Sequence, residues 1–213
     1  MNKFDSVETA LEVLSKGGLI LVSDDECREN EGDLMGIAEL ITPQSINFMI
    51  THGKGIVCFS IVESIAKRLN LPQMVENNTE KMRTAFTVSI DAHPRFGVTT
   101  GVSAYDRAKT IQVALDNNTK PEDLLRPGHV FPLVSREGGV LTRNGHTEAS
   151  TDLARLAGFK PSGVIIETIL ANGRMARQKD LFEFKELYRL PYITIEALKE
   201  YRLKYDIQEI KAI

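Results

Sequence analysis

Short apolar runs of strand length alternate with helix-length segments along most of the chain, and this alternation limits the fold more than any other feature. Two of the runs, GIVCFSI at 55–61 and GVIIETI at 163–169, are apolar at nearly every position. Strands with this pattern are typically buried on both faces, as in a sheet covered by helices on each side. The sequence therefore predicts a layered α/β or α+β domain.

Local patterns predict the individual elements. Apolar residues at helical spacing predict helices at 6–16, 43–52, 63–69, 103–115, 147–157 and 195–204. Runs rich in Val, Ile, Phe and Thr predict strands at 55–61, 85–90, 129–134, 163–169 and 192–195. Two further strand-like runs, GLILVSDD and LMGIAEL, are expected to pair around the acidic segment between them. The polar window 70–84 is expected to be a surface connection, with a mobile loop as the alternative.

Composition argues against several classes of protein. The 213 residues include 26 Lys and Arg against 29 Asp and Glu, a formal net charge of -3, so nucleic acid is not expected as the main partner. Two cysteines are too few for a disulfide scaffold or a four-thiolate zinc site, which favours a reducing compartment. The polar N-terminus and the short apolar runs predict neither a signal peptide nor a membrane span. A cytoplasmic protein that acts on small molecules, with one domain over residues 1–213, fits these observations.

The segment DDECRENEGD at 24–33 concentrates carboxylates between two apolar runs. It holds six of them against one cation, Arg28. A solvated acidic loop is the simple explanation, because exposed like charges cost little in water. Glu29, Glu31 and Asp33 alternate, however, so an extended segment would point all three to one side, where a proton or a cation must offset their repulsion. Mg²⁺ binds through one or two carboxylates together with water and substrate oxygens, so this segment is a candidate source of a metal ligand.

A second candidate site precedes the helix predicted at 147–157. Arg143, Asn144, Gly145 and His146 lead into Thr147, which is a suitable N-cap. Free amides at a helix start, the positive end of the helix dipole and a guanidinium together favour a phosphate group. The alternative is an ordinary capped helix with a surface arginine.

Two more residues stand out singly. His129 follows the Pro-Gly turn in RPGHVFPL and opens a strand, where an imidazole can exchange protons near neutral pH. Glu167 is the one charged residue in GVIIETI, and it lies either close to a cation or at an exposed strand position, since buried carboxylates are usually paired. Ser103 and Asp106 are interpreted as a structural helix cap. The sequence contains no glycine-rich nucleotide motif and no G-x-S-x-G motif.

Five motifs in order carry a family resemblance. They are RENEGD at 28–33, THGKGIVC at 51–58, GVTTGVSAYDRA at 97–108, RPGHVFPL at 126–133 and GHTEAS at 145–150. Together they closely resemble the 3,4-dihydroxy-2-butanone 4-phosphate synthase family of riboflavin biosynthesis, over nearly the whole chain. The resemblance implies a three-layer α-β-α single domain with a mixed sheet, and a homodimer whose active site lies near the subunit interface. Many relatives are fused to GTP cyclohydrolase II, a zinc enzyme, and the low cysteine count favours a stand-alone synthase.

The same resemblance implies roles for the candidate residues. It implies a lyase that converts D-ribulose 5-phosphate into 3,4-dihydroxy-2-butanone 4-phosphate and formate, with two Mg²⁺ ions per site or Mn²⁺ in their place. Glu29 and His146 are the implied metal ligands. Substrate binding is implied for Arg28, Glu29, Asp33, Arg143, Asn144, Gly145, His146, Thr147 and Glu167. Catalytic positions are implied for His129, Glu167, Glu31, Asp33 and Cys58. Cys27 departs from the family, which more often has an acidic residue there.

The implied reaction makes sense of these residue types. Chelation of the substrate's ketone and adjacent hydroxyl by a divalent ion would stabilise an enediolate, and the skeletal rearrangement and loss of formate need several proton transfers. Two other classes stay open on the residues alone. One is a metal-assisted sugar-phosphate isomerase or aldolase, and the other is a non-catalytic protein that uses the acidic segment for cation uptake. Release of formate separates the synthase from both.

Overall fold

The computed structural model describes residues 3–211, and within them the chain forms seven α-helices and seven β-strands. The helices are α1 Val7–Ser15, α2 Pro43–Phe48, α3 Glu63–Arg68, α4 Ala104–Leu115, α5 His146–Leu156, α6 Gln178–Tyr188 and α7 Ile195–Lys211. The strands are β1 Ile20–Ser23, β2 Gly32–Ile37, β3 Cys58–Ile61, β4 Ile90–Ala92, β5 Leu124–Val134, β6 Ser162–Glu167 and β7 Tyr192–Thr194. Among residues 3–211, every helix is too short or too polar to span a lipid bilayer.

One mixed sheet joins the strands in the order β4-β5-β3-β6-β2-β1-β7. β1 runs parallel to β7 and β3 runs parallel to β5, whereas the other neighbours are antiparallel. β1 and β2 pair directly, with Ser23 opposite Gly32, and the acidic segment connects them. The predicted pairing of the two runs that flank this segment is therefore confirmed.

Helices cover both faces of the sheet, as the apolar strands predict. β1, β2, β3 and β4 are buried at every position. On one face, Leu34, Phe59 and Ile166 pack into a core with residues of α2, α3, α4 and α6. On the other face, Met35 and Ile165 pack into a core with residues of α1, α5 and α7. The chain is thus an α-β-α sandwich in three layers around a mixed sheet.

The structure corrects two local expectations and adds one helix that was not expected. The strand expected at 85–90 is reduced to isolated bridges at Phe86 and Thr87, and β4 begins only at Ile90. The sequence patterns do not predict α6 at all. The N-cap of α5 is Gly145, so Thr147 lies inside the first turn instead of capping it.

Candidate metal and substrate site

Strand pairing gathers three of the predicted catalytic residues at one end of the sheet. Asp33 on β2 lies opposite Glu167 on β6, and Cys58 on β3 lies opposite Ile165 on β6. Paired residues and residues two apart on a strand point to the same face. Cys58 and Ile165 belong to the core that also contains residues of α5. Asp33, Cys58 and Glu167 therefore face the layer that carries His146.

The acidic segment folds as a turn around the buried carboxylate of Asp24. Asp24 Oδ2 accepts from the Glu29 amide at 3.0 Å and from Arg28 Nη1 at 2.8 Å, and Oδ1 accepts from the Glu31 amide at 2.9 Å. Asn30 has a φ of 56°, so the segment is not extended, and the alternation of its carboxylates does not place them on one side of a strand. Burial would raise the pKa of Asp24, but the hydrogen bonds from the loop amides and Arg28 hold it below its usual value. Asp24 is therefore ionised and organises the turn.

His146 approaches this turn from the start of α5. One ligand atom from each of Asp24, Glu29 and His146 lies within 4.8 Å of the other two, and His146 Nδ1 is 3.9 Å from Glu29 Oε2. His146 is buried, and its Nε2 has no hydrogen-bond partner among residues 3–211. Burial, aided by Arg28 and Arg143 and opposed by Asp24, lowers the pKa of His146 from 6.5 to about 4. A neutral imidazole with an unpaired nitrogen beside two carboxylates is a donor set that suits a divalent cation.

Negative charge accumulates next to these residues. Burial, together with Glu167, Glu29 and Glu31, raises the pKa of Asp33 well above its usual 3.8. Burial and Glu29 also raise the pKa of Glu31. Burial, Glu167 and Asp33 raise the pKa of Cys58 well above 9.0, so this residue is a thiol near neutral pH. Carboxylates in this number need a proton or a cation among them.

Glu167 is held by the loop that follows α2. A π-helical turn at Met49–Gly53 extends α2, and the Gly55 amide then donates to the backbone oxygen of Glu167 at 3.2 Å. The Ile56 amide donates to Glu167 Oε2 at 2.8 Å. A Cβ on Gly55 would lie 2.8 Å from the Glu167 backbone oxygen, so glycine is required for this close approach. The THGKGIVC motif therefore positions the carboxylate at the partly buried end of β6.

Arg143 is already paired in this structure. Its Nη1 donates to Glu148 Oε2 at 2.6 Å, and its Nη2 donates to Thr84 Oγ1 at 3.0 Å and to the Met82 oxygen at 3.3 Å. Glu148 is 1% exposed. The window 70–84 is thus more than a surface connection, because its last residues pack against a predicted phosphate ligand.

The start of α5 offers free backbone amides beside this guanidinium. Its N-cap, Gly145, supplies no side-chain hydrogen bond, Asn144 is exposed, and Thr147 is buried in the first turn. Uncapped amides at the positive end of a helix dipole attract anions. With Arg143 next to Gly145, the arrangement favours a phosphate group.

His129 lies with Asp91 and not with the acidic turn. His129 Nδ1 is 2.7 Å from Asp91 Oδ2, and the His129 amide donates to Asp91 Oδ1 at 3.0 Å. Asp91 is buried, whereas 47% of the His129 side chain is exposed. No contact described within residues 3–211 joins His129 to Asp24, Glu29 or His146. The carboxylate orients the ring and leaves it accessible for proton exchange.

The sequence analysis does not single out three residues that the structure brings into these groups. Asp24 is one of six neighbouring carboxylates, and nothing in the run distinguishes it from the others. Asp91 is separated from His129 by 38 positions, and only the pairing of β4 with β5 brings them together. Of the three, only Glu148 could have been found from the sequence, because an acidic residue in the first turn of the helix that follows Arg143 is a suitable partner for that arginine.

A cavity of about 1320 Å³ lies apart from these residues. It is bounded by α3, by the segment 70–85 and by the turn at 134–142, and Asp152 and Arg202 line it as well. It contains none of the residues to which the family resemblance assigns a role. The candidate site is therefore identified by the metal-binding atoms of Asp24, Glu29 and His146 and not by the size of a cavity.

Comparisons with known proteins point to one family. The sequence profile described as 3,4-dihydroxy-2-butanone 4-phosphate synthase matches residues 8–201. The chain is 53% identical over 202 residues to riboflavin biosynthesis protein RibBA of Aquifex aeolicus, covering 95% of this chain and 50% of that protein. It is 51% identical over 200 residues to RibBA of Staphylococcus epidermidis, covering 94% of this chain and 50% of that protein. The chain thus spans about half the length of these relatives.

Solved structures with the same description share the fold. A 3,4-dihydroxy-2-butanone 4-phosphate synthase in complex with two magnesium ions matches with a TM-score of 0.89 at 38% identity, over 95% of this chain and 99% of that one. RibBX, a two-domain 3,4-dihydroxy-2-butanone 4-phosphate synthase from A. baumannii, matches with a TM-score of 0.88 at 46% identity, over 93% of this chain and 58% of that one.

Proposed function

The chain belongs to the 3,4-dihydroxy-2-butanone 4-phosphate synthase family, and from this membership we propose that it converts D-ribulose 5-phosphate into 3,4-dihydroxy-2-butanone 4-phosphate and formate. This is a carbon–carbon lyase step of riboflavin biosynthesis. The observation that carries the proposal is the position of Asp24, Glu29 and His146 beside Arg143 and the uncapped start of α5. One side of this arrangement suits a divalent cation and the other suits a phosphate, the two features that bind a sugar phosphate through a metal.

The donor set fits Mg²⁺, with Mn²⁺ as the alternative. Glu29 and His146 are the proposed ligands, and Asp24 lies close enough to join them directly or through water. Two ions per site are proposed because the related synthase structure described above holds two magnesium ions. When bound, a divalent ion supplies a Lewis acid that polarises the substrate's oxygens.

The residues at the start of α5 bind and orient the substrate. Arg143, together with the amides of the first turn that includes Thr147, holds the phosphate through charge-assisted hydrogen bonds. Asn144 and Gly145, which precede this turn, and Arg28, which binds the carboxylates of Asp24 and Glu29, are the further substrate-binding residues of the proposal.

We assign proton transfers to several of the implied catalytic residues. Glu31, Asp33 and Glu167 are the proposed carboxylate donors and acceptors, with Cys58 as the neutral thiol beside them. His129, whose ring Asp91 orients through Nδ1, is the proposed proton-exchange group with an exposed ring. Several groups are needed because the rearrangement moves more than one proton.

A homodimer with the site near the interface completes the proposal. Three exposed apolar side chains, Val102, Tyr105 and Leu125, lie on segments next to the pair Asp91 and His129. Exposed apolar side chains grouped in this way suit an interface with a second copy. A mass in solution of twice the chain's 23.7 kDa is the expected result of light scattering, and a monomer that is active would contradict it. The two free cysteines suit a reducing, cytoplasmic compartment.

Release of formate tests the function. Purified protein incubated with D-ribulose 5-phosphate and Mg²⁺ should produce formate, and EDTA should stop its production. An isomerase or aldolase would consume the substrate without releasing formate. A non-catalytic cation-binding protein would leave the substrate unchanged. Either of these results contradicts the proposal.

A further inference from the structure

The chain that follows Glu167 makes a short hairpin and returns to the acidic turn. The Thr168 amide donates to the Gly32 oxygen at 3.0 Å, and the Ala176 amide donates to the Thr168 oxygen at 2.9 Å. The hairpin thus begins beside β2 and ends beside β6. The next residue, Arg177, is the N-cap of α6.

The side chain of Arg177 binds the backbone of the acidic turn. Its Nη1 donates to the Glu29 oxygen at 2.9 Å and to the oxygen of Asn30. The same nitrogen is 3.9 Å from Glu31 Oε1, which is beyond hydrogen-bond distance. The left-handed backbone of Asn30 lets one nitrogen reach two successive carbonyls. Arg177 therefore holds the peptide groups that carry Glu29 and does not contact its carboxylate.

The position of Arg177 is fixed by the packing of α6. At the helix start, the Arg177 amide donates to Asp180 Oδ2 at 2.9 Å. One turn later, Leu181 is buried so closely against β2 that a Cβ on Gly32 would lie 2.3 Å from Leu181 Cδ1. The guanidinium is thus presented from a helix that is anchored on the same strand as the site.

We propose that Arg177 is a positioning residue that sets the affinity for the divalent cation by fixing the turn that carries Glu29. This inference rests on the proposed function, because it assumes that Glu29 and His146 bind the metal. The six carboxylates of the acidic segment repel one another. Asp24 holds the amides of Glu29 and Glu31, and Arg177 adds a restraint on the carbonyls of the same turn, so the turn opens more readily when Arg177 is lost. Arg28 contacts the Glu29 carboxylate itself. Arg177 adds a restraint on the backbone that carries it, so that the carboxylate stays within reach of His146 before a cation arrives.

The sign of the effect separates positioning from simple electrostatics. A guanidinium near a cation site repels the cation, so removing its charge alone should strengthen cation binding. Removing a residue that holds a ligand-bearing turn should weaken cation binding, because an outer partner of a metal ligand typically affects affinity by 10- to 100-fold. The two explanations therefore predict opposite changes.

Titration of the metal-free protein with Mn²⁺, followed by the EPR signal of the free ion, measures this affinity without any turnover. Arg177→Gln should weaken Mn²⁺ binding by about tenfold or more. Arg177→Lys retains the charge and N–H donors and should restore part of the affinity. Arg174→Gln, which removes an exposed arginine from the same hairpin, should bind as the wild type does. Melting temperatures verify that each variant is folded.

Equal or tighter Mn²⁺ binding by a folded Arg177→Gln protein overturns the proposal. If this variant does not fold, Arg177→Lys compared with Arg174→Lys decides: weaker binding at 177 supports the proposal and equal binding overturns it. A wild type that binds no Mn²⁺, or a Glu29→Gln variant that binds it normally, refutes the metal assignment and the role of Arg177 with it. Loss of binding in Glu29→Gln but not in Arg177→Gln refutes the role of Arg177 alone.

Discussion

Two carboxylate–histidine groups in this chain are built in opposite ways. In the first, His146 is buried beside Asp24 and Glu29, and its Nε2 has no partner within residues 3–211. In the second, the carboxylate of Asp91 is the buried partner, and it bonds both the amide and the ring of a half-exposed His129. The imidazole is buried in the first group and half-exposed in the second.

This difference in burial indicates a difference in chemistry. Burial keeps His146 neutral, which metal ligation requires, and it leaves a ring nitrogen unpaired. An exposed imidazole that a carboxylate orients is suited to proton exchange. Substitutions in the first group should therefore abolish metal binding, whereas substitutions in the second should reduce turnover and leave metal binding intact.

Glu29→Gln should have the largest effect. We expect turnover to fall by more than about a hundredfold, roughly 2.7 kcal/mol on the barrier, because the change deletes a metal-binding charge. The fold should persist, since Glu29 is one of the charges that raise the pKa of the neighbouring Asp33. Steady-state turnover and thermal melting check both statements, and Glu26→Gln, at an exposed position in the same segment, is the matched control. Activity within about tenfold of the wild type would exclude the ligand role.

His129→Gln tests the other side of the comparison. Loss of a general acid or base typically costs about 10²- to 10⁴-fold in rate, and we expect a loss in the lower part of that range. Asp91→Asn should cause a smaller loss, because the imidazole remains but is no longer held by a carboxylate. Mn²⁺ titration should give the wild-type affinity for both variants. If either variant lost metal binding, the proposed division between a metal-binding group at His146 and a proton-exchange group at His129 would be wrong.

Glu167→Gln tests a carboxylate that belongs neither to the group of His146 nor to the group of His129. The amide keeps an oxygen that can accept from the Ile56 amide, so packing at the end of β6 should change little. Turnover should fall by at least about tenfold because basicity is lost, with metal binding retained. Melting temperature and turnover measured on one purified variant distinguish the roles. A destabilised but fully active enzyme would show that Glu167 has only a structural part.

Arg143→Ala should raise the KM for the substrate. A charge-assisted partner of a phosphate contributes about 1.5–3 kcal/mol, which corresponds to a loss of roughly 10- to 150-fold in affinity. The variant would also leave Glu148 buried without its cation, so the substitution is best compared in a Glu148→Gln background. In that background kcat should change less than KM. Unchanged substrate affinity would exclude phosphate binding by Arg143.

Local patterns predict the elements whose signals lie within a few residues of one another. Ser103 caps α4 by accepting from the Asp106 amide at 3.0 Å, as its place in the sequence indicates. α6 escapes prediction because its N-cap is Arg177, and arginine is not among the short polar residues that mark a helix start. The same distinction applies to the site. The family motifs name Glu29 and His146, but the partner of His129 lies 38 positions away and Arg177 lies 148 positions from Glu29, distances that only the folded sheet and helices bridge.

A pH dependence of stability that belongs to His146 alone tests the same comparison without a turnover assay. Its folded pKa of about 4 lies below the ordinary 6.5, so between these values the unfolded chain binds a proton that the folded chain does not. Folding stability through His146 is therefore lost as the pH falls from about 6.5 to about 4, by at most about 1.4 kcal/mol per pH unit. Asp33 acts in the opposite sense, because its raised pKa favours the folded state at low pH, so the wild-type curve alone does not isolate the histidine. The free energy of unfolding of metal-free His146→Gln minus that of the wild type does isolate it, and this difference should increase as the pH is lowered. A difference that is constant across this range would mean that folding does not change the pKa of His146, which would contradict the statement that burial keeps this imidazole neutral.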